Sequence, residues 1–151
     1  MDTIKKYEEE NDLFGKGTSQ GKHIFNQKLF SQPVLFDGIG KGKCMPTDYD
    51  SVIELDNKYW FAFEVKRKGK SMPYGQSLSY TRTADKWDKC GDISYVFVVE
   101  HEETDPNKPI LLKDCKLKKL YHKGEWLRPK KPLTVTETIN VIKQKYNITK
   151  I

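Results

Sequence analysis

Apolar positions recur along this chain with two different periods. The segment YWFAFEV (59–65) is apolar at almost every position and predicts a strand covered on both faces. SVIEL (51–55) precedes it as a second strand, and the intervening Asp56-Asn57 is good hairpin-turn chemistry. ISYVFVVE (93–100) is another continuous apolar run of the buried type, and CKLKKLYHK (115–123) predicts a strand that turns at Gly124. Helical spacing appears at Leu78, Tyr80, Ala84 and Trp87, predicting a helix over about 76–89 closed by Cys90-Gly91. A last helix over about 134–146 opens with a capping box formed by Thr134 and Glu137. Nearer the N-terminus, TIKKYEEENDLF (3–14) reads as a short helix broken by the glycines of GKGTSQG. Residues 22–31 form a second helix with Ile24, Phe25, Leu29 and Phe30 as its apolar positions, ended by Pro33, and FDGIGKGK (36–43) is loop or short strand. The order α-α-β-β-α-β-β-α, without internal repeats or a low-complexity linker, predicts one mixed α/β domain over residues 1–151.

Composition supports that reading. The 18 aromatic side chains supply core material and argue against wholesale disorder, although 32% of residues are charged. No apolar run approaches the roughly 20 residues that span a bilayer, and the opening MDTIKKYEEE lacks the apolar stretch of a secretory signal. Cys44, Cys90 and Cys115 are widely spaced and odd in number, so a reduced, cytoplasmic protein without membrane association is expected. The net charge of +6 is unevenly spread. Residues 1–106 carry 15 basic and 18 acidic side chains, whereas residues 107–151 carry 12 basic and 3 acidic, a net +9. Such a basic section suits a polyanionic partner, with a solvated lysine-rich surface as the plain alternative.

The chemistry concentrates on the first hairpin. Glu64 and Lys66 share a face of the apolar strand while Val65 points to the other. Asp50 stands at the mouth of the preceding strand, and Asp48 shares its face. A carboxylate and an amine at the end of a central strand need partners. They have one in each other as an ion pair, or in a Mg²⁺ ion between Asp50 and Glu64, since hard cations accept one or two carboxylates together with water and phosphate oxygens. The pattern acid-x-Lys occurs two more times, at Asp56-Asn57-Lys58 and Asp114-Cys115-Lys116. Only Glu64-Val65-Lys66 combines an apolar central strand with an Asp on its hairpin partner.

The segment PTDYDSVIELDNKYWFAFEVK (46–66) resembles the core of the PD-(D/E)XK nuclease superfamily, in which an Asp on one hairpin strand and a (D/E)-x-K on the next bind a divalent metal. The 14-residue separation of Asp50 and Glu64 is similar to that of compact resolvases and restriction-like nucleases. SMPYGQ (71–76) opens a helix with a Gln, as in a subset of these enzymes. About a third of the chain is covered.

The resemblance implies a restriction-endonuclease-like core, with a mixed central sheet flanked by helices, and a metal-dependent nuclease hydrolysing DNA, duplex or branched. Mg²⁺ or Mn²⁺ would be held by Asp50, Glu64 and the Val65 carbonyl. Lys66 would orient water or stabilise developing charge, and Gln76 would fix the nucleophile or a ligand. Arg67, Lys68 and Lys70 beside the site, and Lys116 and Lys118 on the basic strand, are the candidate phosphate contacts. Many members add a glutamate from their first helix, a role open here to Glu8, Glu9 or Glu10; Asp48 is an alternative to Asp50. With no separate specificity module, structure-selective cutting or a homodimer cutting both strands fits better than long-site recognition. A stand-alone nuclease of this size would suit a bacteriophage, acting in the host cytoplasm. The competing reading is a non-catalytic nucleic-acid- or partner-binding module on the same fold.

Other constellations are weaker. The interval Gly15 to Lys22 is one residue too long for a phosphate loop and His23 replaces its Ser/Thr. Cys90, His101, Cys115 and His122 have no zinc-knuckle spacing.

Overall fold

The computed structural model describes residues 48–151. The chain divides by its contacts into two units, Met1–Pro46 and Thr47–Ile151. The expected helices over 3–14 and 22–31, the segment 36–43, Cys44 and the candidates Glu8, Glu9 and Glu10 lie outside the described residues. Within them the order is β1 (Ser51–Leu55), β2 (Tyr59–Arg67), α1 (Tyr74–Lys89), β3 (Ile93–His101), a 3₁₀ turn (Leu112–Asp114), β4 (Lys116–His122), β5 (Glu125–Leu127) and α2 (Val135–Tyr146). The architecture is α/β: a five-stranded mixed sheet in the order β1-β2-β3-β4-β5, flanked by the two helices.

Turn chemistry sets the antiparallel pairs. Asp56 and Asn57 both take positive φ (57° and 51°), a left-handed pair that turns the chain within the loop Asp56–Lys58 between the paired Leu55 and Tyr59. The Glu54 carboxylate accepts the Asn57 N–H at 2.7 Å and holds that turn. Lys123 and Gly124 repeat the device at φ 49° and 82° between β4 and β5. The β2–β3 pair is parallel from Tyr59↔Ile93 to Arg67↔His101 and requires a crossover, which α1 supplies.

The two faces of β2 enter different cores. Phe61 and Phe63 join Phe97, Val99, Leu117, Val135 and Ile142 under α2, with the Phe63 and Phe97 rings stacked at 4.9 Å. Trp60 and Ala62 pack with Tyr80, Ala84 and Val96 under α1. Coverage on both sides explains why the strand reads apolar throughout. Burial of each large side chain contributes about 1.5–3 kcal/mol, so these two layers dominate the stability of the fold.

A β-bulge interrupts the β3–β4 ladder: Val98 faces Lys119 while Val99 faces Leu117, leaving Lys118 as the inserted residue. Leu117 and Leu120, three apart, consequently both reach the α2-side core. Strict alternation through the basic strand therefore fails at this point. Helix α1 starts at Tyr74, two residues before its expected start, with Pro73 in the N-cap position. Helix α2 carries the expected capping box, Thr134 Oγ1 accepting the Glu137 N–H at 3.2 Å and Glu137 accepting the Thr134 N–H at 2.7 Å. Among the described residues no helix is long and apolar enough to cross a membrane.

Candidate functional site

Glu64 is the sixth residue of β2, on the face that α1 covers, and only 1% of it is exposed. The two residues before it on that face, Trp60 and Ala62, are core, so the strand carries a charge to the point where the apolar layer ends. Taking a carboxylate out of water costs several kcal/mol unless it is paired and hydrogen-bonded. Three side chains meet that cost. Lys66, two residues on and 23% exposed, forms an ion pair with Glu64 Oε1. The Gln76 amide donates to Oε2 at 2.9 Å and the Tyr80 hydroxyl donates to the same oxygen at 2.8 Å. Hydrogen bonds to a charged acceptor contribute about 1.5–3 kcal/mol each, enough for two of them and the ion pair to offset the burial.

Helix α1 delivers two of these partners because Gln76 and Tyr80 are four residues apart, on one helix face. Gln76 does more than hold Glu64. Its Nε2 also lies 3.2 Å from the Asp48 carbonyl oxygen, and its Oε1 stands 3.5 Å from Lys66 Nζ. One amide therefore touches the acid, the amine and the strand leading into β1. Tyr80 is wholly buried, stacks on Tyr49 at 4.4 Å and also donates to the Phe63 carbonyl at 3.2 Å. Burial, and then the Glu64 carboxylate on its hydroxyl, push its pKa far above the ordinary tyrosine value, so it remains a donor.

Asp50 sits at the bend that leads into β1 and is exposed. Extending the register of Ser51↔Phe63 by one step sets Asp50 opposite Glu64. Its Oδ2 accepts the Val65 N–H at 2.7 Å, which ties the carboxylate to β2 beside Glu64. Asp50 is thus the aspartate whose carboxylate touches β2, whereas Asp48 reaches the site through its carbonyl. Asp50, Glu64, Val65, Lys66 and Gln76 are all brought together.

The donor set suits one hard cation. Among the described residues Asp50 Oδ1 accepts no hydrogen bond, and Glu64 Oε1 has the Lys66 charge but no aligned donor, leaving one oxygen of each carboxylate. No group of three His, Cys, Asp or Glu side chains among the described residues could hold a metal ion, so a cation here would complete its shell with water, the backbone or substrate oxygens.

The basic candidates divide into two sets. Arg67 and Lys70 are exposed at the end of β2 and in the turn after it, and neither makes an ion pair among the described residues. Lys68 pairs with Glu102 on the surface, which raises the lysine and lowers the glutamate pKa. Lys116 is exposed on β4. Lys118, at the bulge, pairs with Glu100 at 2.6 Å and donates to the Lys70 carbonyl at 3.0 Å, tying β4 to the loop after β2.

Tyr80 is the participant that the sequence reading assigned only to the core. Its signal was the i, i+4 spacing from Gln76, since both then face Glu64. No protein-family model matches the chain, and no curated protein or solved structure matches it.

Proposed function

We propose that this chain is a metal-dependent nuclease hydrolysing DNA phosphodiester bonds on a restriction-endonuclease-like core. The observation that supports it most is the buried Glu64, paired with Lys66 on its own strand, met by Gln76 from the following helix and flanked by Asp50 across the hairpin. A purely structural ion pair would need neither the amide reaching three groups nor a second carboxylate.

Asp50, Glu64 and the Val65 carbonyl would hold Mg²⁺ or Mn²⁺, which when bound would activate water and offset charge on the scissile phosphate. The protein's own groups divide the remaining work. Gln76 and Tyr80 fix Glu64 Oε2, so the carboxylate cannot rotate. Lys66, tethered between Glu64 and Gln76, places a positive charge where the pentavalent phosphate gathers negative charge. Arg67 and Lys70 would grip phosphates flanking the reacting one. Cutting of both strands of a duplex would then fall to a homodimer.

The rival, a non-catalytic binding module, draws on one observation: the lack of a three-ligand group among the described residues. Titrating Mg²⁺ and Mn²⁺ into the protein with plasmid, single-stranded and branched DNA separates the two. Cleavage that chelator abolishes, and that Asp50→Ala and Glu64→Ala each lose while keeping a native circular dichroism spectrum, is expected. Full activity in both variants, or no cleavage of any substrate by the wild type, overturns the assignment.

A further inference from the structure

The pairings across the sheet carry the Glu64 row beyond the first hairpin. Glu64 pairs with Val98 on β3, and Val98 pairs with Lys119 on β4, so Lys119 shares the face of Glu64. The adjacent row fixes which face this is: Ala62, Val96, Tyr121 and Trp126 follow one another across four strands and pack together under α1. At about 4.8 Å per strand, Lys119 stands roughly 10 Å from Glu64 along the sheet. In the row on the other side Lys66 pairs with Glu100, Glu100 pairs with Lys116, and Lys118 reaches the Glu100 carboxylate at 2.6 Å. The bulge is what gathers these lysines. With Leu117 in the α2-side core, strict alternation would turn Lys119 to that side as well; the inserted Lys118 sends it to the Glu64 face instead.

Lys119 is poorly satisfied for a lysine. It is half-buried, its ammonium stands 3.9 Å from the centre of the Trp126 ring, and it forms no ion pair among the described residues. Burial, and then the nearby Arg128 and Lys118, hold its pKa below the ordinary lysine value. A desolvated cation among like charges costs stability in the free protein, and a polyanion on this face offsets that cost. Lys118 is neutralised by Glu100, so Lys119 and the exposed Lys116 carry the unpaired charge of β4 on this face. We infer that this face is a DNA-binding platform: Lys119 and Lys116 neutralise backbone phosphates of a strand that runs from the Glu64 site across β3 and β4 toward β5. Trp126 holds the Lys119 ammonium in place for that contact. The platform gives the proposed nuclease a phosphate-binding surface and rests on that reading only for the position of the reacting phosphate.

The test measures binding, stability and cleavage separately. In chelator, fluorescence anisotropy would follow the full chain binding a labelled blunt DNA duplex through a sodium chloride series. Lys119→Met keeps an unbranched apolar stem and removes the charge. It should weaken binding about 10-fold, the loss of one charge-assisted contact, and make the salt slope shallower by about 0.9. Its thermal midpoint should stay level or rise, because an uncompensated charge is gone. Lys119→Gln, a second neutral variant, should match it in binding. Lys119→Arg keeps a cation over the ring and should hold affinity within about 3-fold. Lys145→Met, on α2 at the opposite face of the sheet, should change neither affinity nor slope. Unchanged affinity and slope in the neutral variants, an equal loss in Lys145→Met, failure of Arg to hold affinity, or no DNA binding by the wild type overturns the inference. Cleavage by the wild type with Mn²⁺ is scored apart. If the neutral variants lose binding and the wild type never cuts, the nuclease reading fails and the platform stands; if the wild type cuts and they bind DNA normally, only the platform fails.

Discussion

At the scale of single residues, Lys66 and Tyr80 act on the same carboxylate in different ways. Lys66 brings charge, so Lys66→Ala should depress turnover far more than DNA affinity if that charge acts on the transition state. Single-turnover rates beside binding isotherms check this, and equal losses in both would make Lys66 a phosphate anchor instead. Lys66→Arg should not rescue turnover, because a planar fork cannot take the place of a point charge between Glu64 and Gln76. Tyr80 brings direction. Tyr80→Phe keeps the ring on Tyr49 while removing the one hydroxyl donor shared by Glu64 and the Phe63 carbonyl, and should cost about 1–3 kcal/mol in urea unfolding. Asp50, Glu64 and Lys66 were legible in the sequence because strand periodicity and the hairpin turn place them at one end of the sheet, whereas Gln76, on the following helix, was implied only by the family resemblance. Tyr80 was not, because a phenol at an apolar helical position looks the same whether its hydroxyl is idle or hydrogen-bonded.

Among the elements, β1, β2, β3 and the capped α2 were legible because their turn and cap residues agree with their apolar patterns. The bulge in β4 was harder to read. Lys118 and Lys119 are adjacent residues of one type, and only the later pairing of Leu120 and Tyr121 reveals that the alternation has slipped. The 3₁₀ turn at Leu112–Asp114 has no periodic signal at three residues. Beyond the bulge, His122 stacks on Tyr95 at 3.9 Å and its Nδ1 lies 2.8 Å from the Ser94 carbonyl, which makes that nitrogen the protonated one. Burial holds its pKa below the ordinary histidine value. As pH falls past about 6.5 the unfolded chain takes up a proton before the folded one does, so this group lowers stability until the folded imidazole also titrates. Thermal melts between pH 7.5 and 5 should show the wild type losing stability relative to His122→Asn, with a constant difference above pH 7. On α2, Thr134→Ala removes the hydroxyl half of the capping box and should cost about 1 kcal/mol by the same measurement.

For the molecule as a whole, the basic section over residues 107–151 enters the sheet through β4, but its lysines are not equivalent. Lys118 is already paired with Glu100, while Lys116 is exposed on the same strand. Phosphate contacts release counterions at about 0.9 per phosphate on duplex DNA. Lys116→Ala/Lys118→Ala should therefore make the salt dependence of DNA affinity shallower by about one unit, chiefly through Lys116, and unchanged slopes would assign these lysines to solubility alone. Tyr80 has a kinetic consequence as well. It belongs to the buried cluster of Trp60, Ala62 and Val96, and its hydroxyl holds Glu64, so docking α1 on the sheet and fastening the acid are one event. The β1–β2 hairpin, closed by Leu55↔Tyr59, can form early from neighbours in sequence, but the parallel β2–β3 pairing joins residues 34 apart and waits for the crossover. No intermediate with a formed hairpin and an undocked helix can hold Glu64 in place. In refolding from urea of a Trp87→Phe/Trp126→Phe variant, which leaves Trp60 as the one tryptophan, Trp60 fluorescence and recovery of the function of the site should accordingly rise with a single time constant.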